Sequence, residues 1–260
     1  PPFLKARLAV HRIAVSSEAV TAARRAFPSG LEQPEGSFRF STDALLLAAF
    51  AANAPYVTDR FVDLGTGCGV VGFAYLLLTR NNGTGFGIDC DSGLIDAAAL
   101  NAEKLGLSER FAPRVGELAD SGFLRALREE AAPVDLVMAN PPWRLLGCGR
   151  PPGAEARRRA LFGDAATFPL FASAASALLE RGGRFACVIG ASRLPDMLSA
   201  LSAARLGITM LRFIHKSADA PATFALIESR KDSRAAMTVA APLALYGPDR
   251  VASPESLEFC

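Results

Sequence analysis

Asn140-Pro141-Pro142-Trp143 is the segment of this sequence best equipped to hold a flat aromatic amine. Two successive prolines fix the backbone and remove two N–H donors, so the carbonyls around them are free to accept. Asn140 adds an amide oxygen. Trp143, the single Trp of the chain, adds a π face on which a ring can stack. An aromatic amine brings two N–H donors and a ring, which matches that set. The same residues would also make a turn ending in a core Trp, so position in the fold has to decide between the two.

The second segment with chemistry in it is Asp63-Leu64-Gly65-Thr66-Gly67-Cys68-Gly69. Glycines here permit positive φ and a close approach of backbone to ligand, and the helix that follows offers unpaired N–H groups. A dinucleotide fingerprint starting at Gly65 would need Gly at position 70, which is Val; a shifted match from Gly67 begins too late for a strand ending near Leu64. No GK[ST] follows, which excludes a P-loop. The acid before the turn would repel a pyrophosphate and suits a cationic ligand instead. Asp89, at the end of the next apolar run, stands where doubly wound nucleotide sites reach ribose hydroxyls. A helix N-cap is the competing role there, and Asp91 is the better candidate for it.

These residues need a scaffold that brings strand ends together, and the periodicity supplies one. Apolar runs at 61–65, 83–89, 110–116, 134–140 and 184–190 alternate with helical patterns at 69–80, 91–107, 121–131, 166–180 and 192–205. Two further strand-like runs, 207–214 and 222–229, follow each other without a helix. The expectation is an α/β fold: a doubly wound, mostly parallel seven-stranded sheet, helices on both faces, and an antiparallel C-terminal hairpin. A short strand is expected at 38–40, then a helix capped by Ser41 or Thr42 and running to about Ala52, and one more possible strand at Ala236–Tyr246. Residues 1–37 read as a basic leader, 38–230 as the catalytic domain, and 231–260 as an extension packed on it.

Net charge is only +2, which neither demands nor excludes a polyanionic partner. Four of the 28 basic residues are Lys and the rest Arg, whose forks bind phosphate in bidentate fashion. Arg144, Arg150, Arg157, Arg158 and Arg159 stand against one acid, Glu155, in the loop after the tetrapeptide. A basic loop beside a stacking face suits phosphate contacts around a flipped or single-stranded base; a solvated loop is the plainer alternative. Five cysteines show no CxxC or Cys/His ligand spacing, so no metal site and no disulfide framework are expected. The longest apolar stretch, Ala44–Ala52, is far short of the ~18–20 residues a membrane span needs, and no signal pattern is evident, which predicts a cytoplasmic protein.

DLGTGCG, Asp89 after the second strand and NPPW after the fourth resemble class I S-adenosylmethionine-dependent methyltransferases of the type that modifies exocyclic amines, where the tetrapeptide is usually NPPY, NPPF or DPPY/W. The stretch FRFSTDALLLAAFA (38–51) is similar to the bacterial family that N6-methylates an adenine beside the anticodon of valine tRNA, and LALYGPDR (243–250) resembles its C-terminal segment. The resemblance implies S-adenosylmethionine as cofactor and RNA, most of all tRNA, as partner. It implies that Asp63, Gly65, Gly67 and Gly69 face the methionine part of the cofactor, with Thr42 and Asp43 nearby. Asp89 would take the ribose, and Glu117, where the family usually has Asp, would lie by the adenine. Asn140 and the Pro141 carbonyl would hold the target amine, with Pro142 shaping the turn and Trp143 stacking on the ring. Trp143 departs from the usual Tyr or Phe. The loop at 157–164 also lacks the family's Ala-Arg-His-Glu-like patch. Alternatives are a guanine-N2 enzyme on rRNA, a protein-glutamine methyltransferase and a cofactor-binding partner subunit without catalysis. Neither His11 nor His215 lies in a motif, and methylation of an amine needs no base before transfer, since the cationic product loses its proton readily.

Overall fold

The computed structural model describes residues 18–35, 37, 39–54, 58–79, 82–142, 144–145, 162–163 and 165–259. Alternation of side chains along the strands builds two cores. In β1 (Arg60–Leu64), β4 (Leu136–Ala139) and β7 (Arg184–Gly190), Phe61, Leu136, Met138, Ala186 and Val188 face one side, and Val62, Leu64, Val137, Phe185 and Cys187 face the other. Burial on both faces is why these strands read as continuous apolar runs.

Helices α1 (Glu18–Ala26), α2 (Thr42–Ala52), α3 (Val70–Leu78) and α4 (Ser92–Lys104) are introduced before β4, and α5 (Ser121–Ala131), α6 (Thr167–Leu178), α7 (Leu194–Ala203) and a short α8 (Pro254–Phe259) follow in chain order. Side chains of α2 and α3 fill the first core; those of α5, α6 and α7 fill the second. With β2 (Thr84–Asp89), β3 (Phe111–Val115), β8 (Leu206–His215) and β9 (Ala222–Lys231), the sheet runs β3-β2-β1-β4-β7-β9-β8. All these neighbours pair in parallel except β9, which is antiparallel to both β7 and β8.

The doubly wound sheet and the antiparallel hairpin are as expected. The hairpin's second strand, however, is inserted beside β7, leaving β8 outside it. The strand count is also higher than the expected seven. Two short strands, β10 (Thr238–Val239) and β11 (Leu243–Ala244), pair with β8 and bring the sheet to nine. Within the loop after the tetrapeptide, β5 (Arg144–Leu145) and β6 (Phe162–Gly163) form a separate two-stranded piece. Of the strand expected at 38–40, Phe38 lies outside the described residues, while Arg39 and Phe40 are irregular, and the Phe40 N–H donates to the Gln33 side chain at 3.3 Å instead of to a ladder.

Two features place the start of α2. Asp43 through Ala51 are all buried, as suits a helix that is apolar on nearly every side and wedged between α3 and the sheet. At its far end Arg184 Nη2 donates to the Ala51 carbonyl at 3.3 Å, while Arg184 Nε donates to Glu228 at 3.0 Å. Breaking one partner out of so buried a pair typically costs about 3–5 kcal/mol, so the helix is tied firmly to β7 and β9. The segment before α2 docks on the C-terminal half of α4 through Arg24 and Glu32. Arg24 Nε donates to the Leu105 carbonyl at 2.7 Å, and Glu32 N–H donates to Asn101 Oδ1 at 2.7 Å.

Candidate functional site

The register Leu64↔Ala139 makes the glycine turn and the Asn140 turn immediate neighbours, leaving adjacent strands at the same edge of the sheet. That is the carboxyl edge, where doubly wound sheets bind their ligands.

The glycine turn is held from behind and below. Gly65, Gly67 and Gly69 carry φ of 66°, 56° and 89°, a run of left-handed conformations that side chains resist. At Gly67 nothing lies within 4 Å of the place a Cβ would occupy, so the turn's surface is open there for a ligand to approach the backbone. The Gly67 N–H donates to Asp89 Oδ2 at 2.9 Å, and the Asp91 N–H to Asp89 Oδ1 at 3.0 Å. A carboxylate has about four acceptor sites, so Asp89 keeps capacity for a diol while bracing the turn. Asp91 takes the N-cap role, accepting from Gly93 and Leu94 N–H groups. Burial, with the nearby Asp91 charge, pushes the Asp89 carboxyl up from its ordinary value. Asp89→Ala is therefore expected to weaken cofactor binding by roughly 10- to 100-fold, the worth of hydrogen bonds to a charged group, with calorimetric titration as the check.

Asp63 lies one layer deeper than the resemblance implies. It is 1% exposed, and its Oδ2 accepts from Thr66 Oγ1 at 2.6 Å and from the Gly72 N–H at 3.2 Å. Its Oδ1 is buried and has no partner among the described residues. Burial pushes this carboxyl up to about 7, against the pull of the two hydrogen bonds. The turn thus rests on a half-satisfied carboxylate that a cation bound above it would stabilise. An open turn, a braced acidic edge at Asp89 and an under-compensated anion beneath fit a cofactor with a cationic amino-acid end and a ribose.

On the other strand, Asn140 is half-buried with Pro141 buried behind it. Asn140 Nδ2 donates to Asp43 Oδ2 at 3.0 Å across 97 residues of sequence. The other Asp43 oxygen accepts from Ser41 Oγ. Thr42, beside them, is half-buried in the first turn of α2. Glu117 follows β3 and is exposed at the far side of Asp89, whose carbonyl accepts the Gly116 N–H at 2.9 Å. Trp143, Arg150, Arg157, Arg158 and Arg159 lie outside the described residues; for Arg144 the backbone alone is described, in β5.

Three contributors were not singled out from sequence. Thr66 sits inside the glycine motif and its hydroxyl anchors Asp63. Asn101 is fully buried, and its Nδ2 donates to the Cys68 carbonyl at 3.1 Å and to the Glu32 carbonyl at 3.0 Å, so it ties the turn to α4 and to the N-terminal segment. Phe171 of α6 brings its ring to 3.2 Å from where a Gly65 Cβ would stand. Among the described residues there is no cluster of His, Cys, Asp and Glu able to hold a metal, and no helix long and apolar enough to cross a membrane.

No family model matches the chain. It is 29% identical over 155 residues to a tRNA1(Val) (adenine(37)-N6)-methyltransferase from Enterobacter sp. (strain 638), covering 59% of this chain and 58% of that protein. Over 84 residues it is 39% identical to a release factor glutamine methyltransferase from Rhodospirillum rubrum, covering 32% of this chain and 23% of that one. The chain thus spans little more than half of the first relative and under a quarter of the second. Among solved structures it is similar to a predicted O-methyltransferase of Agrobacterium tumefaciens, with a TM-score of 0.66 and 20% identity over 84% of this chain and 95% of the other. The fold is that of the class I methyltransferases, and the sequence resembles the tRNA adenine-N6 members.

Proposed function

We propose that this chain is an S-adenosylmethionine-dependent N-methyltransferase whose target is the exocyclic amine of a nucleic-acid base, adenine N6 in a tRNA. One observation carries the reading. The nitrogen of Asn140 is committed to Asp43 at 3.0 Å, which turns its amide oxygen the other way, and among the described residues that oxygen, beside the glycine turn, takes no donor. Similarity to a curated tRNA adenine-N6 enzyme supports the substrate class.

S-adenosylmethionine, seated on the glycine turn, would supply an activated methyl group on a cationic sulfur. What the protein must supply is help for a poor nucleophile, since an aromatic amine shares its lone pair with the ring. Asn140 Oδ1 and the Pro141 carbonyl each accept one N–H of the amine. Two acceptors on opposite sides turn the lone pair out of conjugation and oppose the positive charge growing on nitrogen, a preorganised electrostatic effect. The two turns leave neighbouring strand ends, so they would keep the amine close to a cofactor seated on the glycine turn at no further entropic cost. Asp89 and Asp63 act on the cofactor side alone. The Arg-rich loop that leaves Asn140 would hold phosphates flanking the extruded base.

Incubation with methyl-labelled cofactor and total RNA lacking the modification, then digestion to nucleosides, tests this directly. Label in N6-methyladenosine is the expected result. Label in N2-methylguanosine would move the substrate to another base. The 39% identity to a glutamine methyltransferase over the shared segment favours a peptide amide as second reading, which label in N5-methylglutamine of a release factor would establish. No transfer to either class would overturn the reaction.

A further inference from the structure

We propose that Asp43 is the positioning residue of the amine site: its carboxylate decides which end of the Asn140 side chain faces the substrate. The inference rests on the reading of Asn140 as the amine's acceptor and extends it to a residue in the segment before the glycine loop.

An Asn side chain is nearly symmetric in shape, with an oxygen that accepts and a nitrogen that donates. Rotation by half a turn would present NH2 to the incoming amine, donor against donor. The neighbour decides the choice. A carboxylate only accepts, so the end of Asn140 that lies 3.0 Å from Asp43 Oδ2 must be the nitrogen, and the oxygen must point away from it. Asp43 is itself fixed. It is 3% exposed, its second oxygen takes the Ser41 hydroxyl, and among the described residues it has no ion-pair partner to draw it elsewhere. The first turn of α2 is a favourable place for its charge. The helix is held at its other end by Arg184 on the Ala51 carbonyl, so α2 spans from the sheet's interior to the amine site with a tie at each end. Asp43 thereby makes the site selective for a group that donates N–H. Its role is on Asn140, whereas the resemblance implies one near the cofactor.

Asp43→Asn is the sharpest test. The new amide can offer its own NH2 to the Asn140 oxygen, which turns the Asn140 nitrogen toward the substrate. We expect kcat to fall by about 100-fold, the size of one lost transition-state hydrogen bond, with cofactor Kd and substrate KM within about threefold. In the Asn140→Ala background, Asp43→Ala should lower single-turnover transfer by less than about twofold, because residues acting through one group are not additive. Ser41→Ala removes only Asp43's second anchor and should cost about three- to tenfold in kcat while the chain stays folded. Independently of turnover, selective 15N labelling of Asn should show the Asn140 side-chain amide protected from solvent exchange in the unaltered protein and unprotected in Asp43→Ala. Cofactor Kd and kcat falling together, full additivity with Asn140→Ala, or an Asn140 amide unprotected in the unaltered protein would each overturn the proposal. A wild-type protein that transfers no methyl group, with the amide still protected, would count against the reaction and leave Asp43's hold on Asn140 supported.

Discussion

Asn140→Ala is expected to reduce methyl transfer by about 1000-fold, the upper range for removing one preorganised group from a developing charge, with cofactor Kd changed by less than about threefold. The separation follows from the fold. Asn140 follows β4, whereas the groups that hold the glycine turn lie elsewhere: Asp63 on β1, Asp89 on β2, Asn101 on α4 and Thr66 within the turn itself. No hydrogen bond from Asn140 to the turn is formed; its amide reaches Asp43. Truncation therefore removes an acceptor that counts chiefly once charge appears on the amine. It also deprives Asp43 of one donor, which costs stability by about 1–3 kcal/mol, so the melting temperature should be read alongside. Single-turnover transfer and calorimetry on one preparation make the comparison. Equal losses in transfer and in cofactor affinity would show that Asn140 belongs to the cofactor seat.

Asp63→Asn is expected to trade affinity for stability. The Asn oxygen can keep the bonds from Thr66 and Gly72, while the buried charge disappears. Burial holds the carboxyl at about 7 in the folded chain, against an ordinary value of 3.8. A folded-state value raised in this way contributes stability fully present below the unfolded value, near pH 4, and lost as pH rises through about 7. At pH 8 the wild-type protein bears the whole cost of an ionised, half-satisfied carboxylate. There the variant should be more stable by on the order of 2–4 kcal/mol, and near pH 4 the difference should vanish. Cofactor affinity should fall by roughly 10- to 100-fold, because the anion beneath the turn no longer opposes the ligand's positive charge. Wild-type binding at pH 7 should release a proton as Asp63 ionises, visible as a dependence of calorimetric heat on buffer, and the variant should release none. Equal melting of the two proteins at pH 8 would contradict the assigned burial.

The sequence by itself determined the elements and the edge at which they converge. Continuous apolar runs separated by helical periods can only become a sheet buried on both faces. Glycines after β1, an acid at the end of β2 and Asn-Pro-Pro after β4 then fall at one edge, because every parallel strand ends there. The hairpin was legible for the same local reason: two strand patterns without a helix between them have no crossover to make them parallel neighbours.

Tertiary structure alone decided what those residues touch. Nothing in the spacing pairs Asp43 with Asn140, 97 residues on; their contact depends on α2 being wedged between α3 and the sheet and anchored by the buried Arg184. Nor does the sequence separate an Asp63 that meets ligand from one that lies behind the turn, since that depends on which way a single side chain faces. The insertion of β9 between β7 and β8 and the addition of β10 and β11 are likewise pairings between distant strands. Local pattern specifies backbone period and therefore elements. Side-chain partners and strand neighbours are settled by packing, which is a property of the whole chain.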